Sequence, residues 1–218
     1  MAISLKKGQG ISLRKEENNL DEVIIGLGWD VAEPKFVAEP KSGGIFGSLF
    51  GKKGTAEKET AEYDLDAIAV LLGRDGKMIR NTDVVFYNQM QHPSGCATLT
   101  GDNRTGAGDG DDEQIIVRLN SLPAEYDKIV FLVAIYEGRK NAQSFGEVEN
   151  CFIRMVDQGG KELVRYDISG NASFAAYRSI VFAEVQREGS GWNFRAIGQP
   201  HETDSFGEIV NAQFLRKK

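Results

Sequence analysis

The sequence predicts an all-β fold, a sandwich or barrel, on three observations. Apolar runs, most of five to nine residues and rich in Val, Ile, Phe and Tyr, recur along the chain. Turn-forming clusters such as "RDGK" (74–77), "HPSG" (92–95) and "QGGK" (158–161) separate them. Within some runs apolar and polar residues alternate with the period of two that a half-buried strand requires.

The runs are, in order, "VIIGLGW" (23–29), "LDAIAVLL" (65–72), "DVVFY" (83–87), "QIIVRL" (114–119), "KIVFLVAIY" (128–136), "CFIRMV" (151–156), "ELVRYDI" (162–168), "SIVFAEVQRE" (179–188) and "WNFRAIG" (192–198). In the fourth, Ile115, Val117 and Leu119 share one face, while Ile116 and Arg118 take the other. "KIVFLVAIY" is apolar on both faces, which places it centrally in a sheet. Helix is minor, with "SLPAEYDK" (121–128) expected to form a single turn. The segment 34–62 has no usable periodicity and mixes Gly, Lys, Glu and Pro, so it is expected to be a long surface insertion in a single domain spanning 1–218. Its apolar tip and flanking lysines, residues 43–53, read either as a surface loop on which Phe46 and Phe50 pack weakly or, as the alternative, as a contact for a protein partner or the inner membrane surface. "SFGEVENCFIR" (144–154) is echoed by "SFGEIVNAQFLR" (205–216), which suggests a strand or a helix at the end of the tail.

Composition narrows the function classes. The chain has 218 residues, 41% hydrophobic and 27% charged, enough to bury a core without cross-links. A net charge of -6 argues against nucleic acid as a partner, since that interface requires a positive surface. Cys96 and Cys151 stand far apart with no metal-ligand spacing, so reduced thiols are expected and a zinc site is not. The N-terminus has no apolar signal-type core, and no run reaches the ~20 residues of a spanning helix. A cytoplasmic location is expected, with peripheral membrane contact as its variant.

The segment "GDNRTGAGDGDDE" (101–113) carries the chemistry. It holds four glycines and five carboxylates with one arginine. Carboxylates ~6 Å apart repel by roughly 3 kcal/mol at an effective dielectric of ~20, a cost that solvation or a bound cation relieves. The glycines allow backbone carbonyls to turn inward, Asn103 and Thr105 add neutral oxygens, and no His or Cys lies nearby. That donor set suits a hard cation. It is not an EF-hand: with Asp102 at position 1, Glu113 falls at position 12, but Arg104, Gly106 and Ala107 occupy positions 3, 5 and 6. Further ligands must come from elsewhere, and Asp30, Asp64, Asp66 and Glu137 stand at the ends of strand-like runs. Replacing Asp111 by Asn is expected to relieve repulsion in the metal-free loop.

The motifs "GLGWD", "YDLDAIAVLLGRDGK", "DVVFYNQ", "GDNRTGAGDGDDE", "DKIVFLVAIYEG", "QSFGEVENCFIR" and "WNFRAIGQ" together resemble the TerD family of bacterial tellurite-resistance and general-stress proteins, in order, over residues 1 to about 200. The resemblance implies an antiparallel β-sandwich with long metal-binding loops, about two Ca²⁺ sites built from clustered carboxylates, and no established enzymatic activity. Carried onto this chain, it implies Asp30, Asp64, Asp66, Asp102, Asn103, Asp109, Asp111, Asp112 and Glu113 as ligands; calcium-dependent recruitment or assembly, with stress-complex proteins as partners, is the action expected of such a module. The chain departs from the family in its insertion at about 34–62 and in its tail after about 199. The competing reading is an enzyme, either a Mg²⁺-dependent phosphoryl hydrolase or a thiol-based tellurite reductase. Against it, the histidines His92 and His201 lie outside every motif, and neither cysteine has the basic context that lowers a thiol pKa.

Overall fold

In the strand Leu65–Leu72 every side chain is buried, yet alternate positions go to different places. Leu65, Ala67, Ala69 and Leu71 join the main core. Ile68, Val70 and Leu72 join a second cluster on the opposite face, with Ile209, Val210 and Phe214 from the C-terminal segment. A strand with both faces covered needs no polar alternation, which is why this run reads as continuously apolar.

The structure, a computed structural model, describes residues 2–14, 17–31, 63–101 and 110–216. The insertion at 34–62, its tip at 43–53, and Asp102, Asn103 and Asp109 lie outside the described residues. The strands are β1 (Ile3–Leu5), β2 (Gly10–Leu13), β3 (Val23–Val31), β4 (Leu65–Leu72), β5 (Val84–Val85), β6 (Ala97–Leu99), β7 (Glu113–Val117), β8 (Lys128–Ile135), β9 (Val148–Asp157), β10 (Glu162–Asp167), β11 (Ser179–Glu188) and β12 (Gly191–His201). They form two six-stranded sheets, ordered β1-β10-β9-β3-β7-β6 and β2-β12-β11-β8-β4-β5. Every pairing is antiparallel except β1 with β10. The main core lies between the sheets. Strand β8, apolar on both faces, sits between β11 and β4, as its sequence predicts.

Among the described residues one α-helix, α1 (Phe206–Gln213), covers the outer face of the second sheet. Ser205 caps it by accepting the N–H of Glu208. Its last carbonyls are met by Lys77 Nζ on Gln213 O at 2.5 Å and by Met78 N on Phe214 O at 2.8 Å. The echoed "SFGE" segments share one turn and then part. Glu147 N bonds Ser144 O as Glu208 N bonds Ser205 O. After Glu147 the chain pairs with β3 and becomes β9; after Glu208 it has an apolar face to lay on a sheet and stays helical.

Three strands escape the sequence reading. β1, β2 and β6 are three or four residues long and lie at sheet edges, where little apolar surface is needed. The run "DVVFY" is corrected to the two residues of β5. Phe86 and Gln89 exchange backbone hydrogen bonds in a tight turn, and Gln89 Nε2 donates to the carbonyls of Thr82 and Val84, which ends pairing there. The expected single turn within 121–128 is present, closed by Tyr126 N on Pro123 O at 3.0 Å, and a 3₁₀ turn at Leu119–Ser121 precedes it.

Candidate functional site

On the outer face of β3 the side chains are Ile24, Gly26, Gly28 and Asp30, since Val23, Ile25, Leu27 and Trp29 point into the core. The two glycines leave a track. A methyl group at Gly26 would collide with the carboxylate of Asp111, and one at Gly28 with the ring of Phe152 and, at 2.7 Å, with the carbonyl of Gly110. The end of the acidic segment lies in this track. Asp112 N donates to Leu27 O at 2.8 Å, extending the β3–β7 ladder by one residue. "GLGWD" is therefore a seat for residues 110–112.

Trp29 N donates to Asp112 Oδ2 at 2.8 Å, fixing that carboxylate beside the end of β3. Asp30, the next residue, is aimed by a bulge: the β3–β9 register shifts between Gly28 and Asp30, and Asn150 takes a left-handed φ of 49°. Asn150 Nδ2 then donates to Asp30 Oδ2 at 2.5 Å. Asp30 and Asp112 line one cleft of about 270 Å³ together with Asn150, Phe152, Arg154 and Arg165. Burial raises the pKa of Asp112, the Trp29 hydrogen bond opposes that, and the charges of Asp30 and Asp111 raise it further.

Asp111 is placed differently. Arg154 Nε donates to its Oδ1 at 2.7 Å, and Gln114 Nε2 donates to its Oδ2 at 3.1 Å. Its side chain is 2% exposed. Here the carboxylate neutralises a guanidinium, so the expected relief of repulsion on removing its charge is corrected: the loss of an ion pair outweighs it.

Glu113 opens β7 and faces the core, where its Oε2 accepts the N–H of Ala67 on β4 at 2.5 Å. That bond ties the acidic segment to the "DLDA" strand and links the two sheets. Asp66, 5% exposed, and Asp64 precede Ala67 and alternate with the core-facing Leu65. The indole of Trp29 donates to Tyr63 O at 3.2 Å, so the end of β3 and the start of β4 meet at one end of the sandwich. The Tyr63 hydroxyl in turn donates to Glu147. Glu137, just past β8, pairs with Lys140 at the surface.

Asp30, Asp112 and the side-chain oxygen of Asn150 are hard donors, and they fit Ca²⁺ or Mg²⁺ by type. Among the described residues, no group of three or more His, Cys, Asp or Glu converges to hold a metal by itself. Both cysteines are free and buried. Burial, followed by the charges of Asp167 and Asp112, pushes the Cys151 thiol upward, the opposite of what a redox nucleophile needs. His92 belongs to a buried knot. Ser94 N donates to its Nδ1 at 3.1 Å, and its Nε2 lies 3.2 Å from Asp83, which also accepts from Tyr126 Oη and from the N–H groups of Ile79 and Arg80. The sequence reading missed Asn150, Arg154 and Arg165. Nothing local marks them; their place follows from the β3–β9–β10 register.

The fold and cleft define a β-sandwich that gathers carboxylates at one end of its sheets. The chain belongs to the TerD domain family, whose model matches residues 1–212. It is 53% identical to the tellurium resistance protein TerX of Serratia marcescens, covering 94% of this chain and 96% of that one. It is 38% identical to the tellurium resistance protein TerD of the same organism, covering 91% of each. A crystal structure of SCO6318 from Streptomyces coelicolor A3(2), a homologue of telluride resistance protein TerD, shares the fold with a TM-score of 0.61 at 20% identity, covering 91% of this chain and all of that one (100%). Among the described residues, no helix is long and apolar enough to cross a membrane, which says nothing about strands.

Proposed function

We propose that this chain is a calcium-binding stress-resistance protein of the tellurium-resistance type, acting by calcium-dependent recruitment or assembly. One observation carries the reading: Trp29 N and Asn150 Nδ2 each hold one oxygen of a neighbouring carboxylate, Asp112 and Asp30, at a shared polar cleft. Holding two like charges side by side costs free energy in the metal-free protein, and a divalent ion bound there would offset it. Asp30 and Asp112 would form the first site, with Asp102, Asn103 and Asp109 of the same acidic segment supplying further oxygens. Asp64, Asp66 and Glu113 would form the second, about the Ala67–Glu113 link. Asp111 would act from outside the ligand set, anchoring the segment through Arg154. Ca²⁺ is favoured over Mg²⁺ because ligands drawn from several strands and a glycine-rich segment suit six to eight flexible oxygens better than a strict octahedron.

The family relationship supports the resistance role, since relatives covering nearly the whole chain are named tellurium resistance proteins. The test is complementation. In a strain made tellurite-sensitive by loss of this gene, the wild-type chain should restore growth, and the double variant Asp30→Asn, Asp112→Asn, expressed at equal level and folded, should not. Full restoration by the double variant would sink the calcium-dependent part of the reading.

A further inference from the structure

The cleft that holds Asp30 and Asp112 has a wall of the opposite sign. Arg165 on β10 is the cross-strand neighbour of Arg154 on β9, and both arginines line the cleft. They differ in what they do. Arg154 is bonded to Asp111 and, through Nη1 at 3.0 Å, to Glu162, so its charge is compensated within the sheet. Arg165 meets Asp167 at 3.7 Å, beyond hydrogen-bond length, and both are partly exposed.

Arg165 is also held in place. Its guanidinium carbon lies 3.5 Å from the ring centroid of Phe152, a stacked cation–π arrangement. The ring keeps its position because residue 28 is glycine; any side chain there would displace it. Stacking fixes the plane of the guanidinium and leaves its N–H edge to bind an anion, the geometry in which arginine grips phosphate through two parallel hydrogen bonds.

A site for a cation alone gains nothing from a fixed guanidinium in its wall, because the two positive charges repel. The juxtaposition is favourable when an anion lies between them. We propose that this cleft binds a phosphate group, with Arg165, stacked on Phe152, taking two of its oxygens and leaving a third free to meet a cation that Asp30 and Asp112 would hold. Phosphate fits better than a carboxylate, which lacks the third oxygen and would give up the two-point contact to bridge. The inference rests on the calcium reading above and adds the ligand class that calcium would recruit.

The experiment uses the full chain and begins with a Ca²⁺ titration of wild type, Arg165→Ala and Arg165→Lys by calorimetry. Glycerol 3-phosphate is then titrated into each, with saturating Ca²⁺ and with chelator. A parallel arm measures sedimentation with phosphatidylcholine vesicles with and without phosphatidic acid, whose headgroup is a phosphate monoester. The expected result is phosphate binding that weakens by at least about tenfold in chelator and in Arg165→Ala, while Arg165→Ala still binds Ca²⁺ and Arg165→Lys keeps part of the phosphate affinity. Arg165-dependent binding of the soluble monoester alone identifies a free phosphate; Arg165-dependent binding to the phosphatidic acid vesicles identifies a headgroup. Normal Ca²⁺ binding with no response to either probe overturns the phosphate site and leaves the calcium reading standing. Equal phosphate binding by wild type and Arg165→Ala overturns it too. Absence of Ca²⁺ binding in wild type overturns both.

Discussion

The backbone N–H of Trp29 donates to the carboxylate of Asp112 at 2.8 Å, across 83 positions of sequence. This bond makes the last residues of the acidic segment part of the β3 strand end, and it separates the roles of adjacent aspartates. Asp112 faces the cleft beside Asp30, while Asp111 turns along the sheet to Arg154.

Asp111 and Asp112 should therefore respond oppositely to neutralisation in the metal-free protein. Asp111→Asn loses an ion pair with a nearly buried carboxylate and should cost about 1.5–3 kcal/mol. Asp112→Asn keeps an oxygen for Trp29 N and removes repulsion with Asp30 and Asp111, so its melting temperature in chelator should rise at pH 7. The sign follows from linkage. A carboxyl whose folded pKa is raised binds more protons in the folded state, so stability falls as pH climbs from the ordinary carboxylate value through the raised one. The fall should be shallower in Asp112→Asn. Thermal melts in chelator across that pH range check both variants.

Gly26→Ala should be among the most damaging small substitutions, because its methyl overlaps the Asp111 carboxylate. The expected cost is about 1–3 kcal/mol, together with a weaker response of stability to Ca²⁺ as residues 110–112 leave their seat. Gly76→Ala, in the "RDGK" turn at φ 71°, meets no neighbouring atom and should cost stability alone, with an unchanged Ca²⁺ response. Melts with and without Ca²⁺ separate the two.

The knot around Asp83 lies away from the cleft and should report on the core alone. Burial pushes the Asp83 pKa up, but the hydrogen bonds from Tyr126, the Arg80 backbone, His92 and the Ile79 backbone outweigh it and leave it depressed. A depressed carboxyl contributes stability above its unfolded pKa and loses it as pH falls through the folded value. Asp83→Ala should cost about 3 kcal/mol or more at pH 7, with less of that loss remaining under strongly acidic conditions. Denaturant titrations at the two pH values measure the difference.

Replacing residues 38–58 by a short Gly/Ser link should leave fold and Ca²⁺ affinity intact. The flanking points are adjacent, since the Trp29 indole bonds Tyr63 O. Loop closure changes by only about 0.6 kcal/mol per doubling of length. A shortened chain with normal melting and a normal Ca²⁺ titration is the expected outcome; an unfolded product would place the insertion in the core.

Much of this was legible in the sequence, and the limits have physical causes. β4 and β11 could be bounded from their apolar runs because both are inner strands of one sheet, while β1, β2 and β6 are edge strands with too few apolar residues to register. Asp30 and Asp112 were visible as candidate donors, but their proximity depends on a bulge at Asn150 and on the β3–β7 register. The partnership of Asp111 with Arg154 spans strands of one sheet that lie far apart in sequence, and no local pattern encodes it. The glycines of "GLGWD" look like strand defects until the segment that fills their track is seen.

The central claim is that Asp30 and Asp112 form a cation site with selectivity for Ca²⁺. Calorimetric titration of the metal-free protein with Ca²⁺ and with Mg²⁺ tests it most directly. Binding of about two Ca²⁺, with a dissociation constant between ~10⁻⁷ and 10⁻⁴ M and much weaker Mg²⁺ binding, is the predicted result. One of the two sites should disappear in the folded double variant Asp30→Asn, Asp112→Asn. No heat at millimolar Ca²⁺, or an identical titration by the double variant, would contradict it.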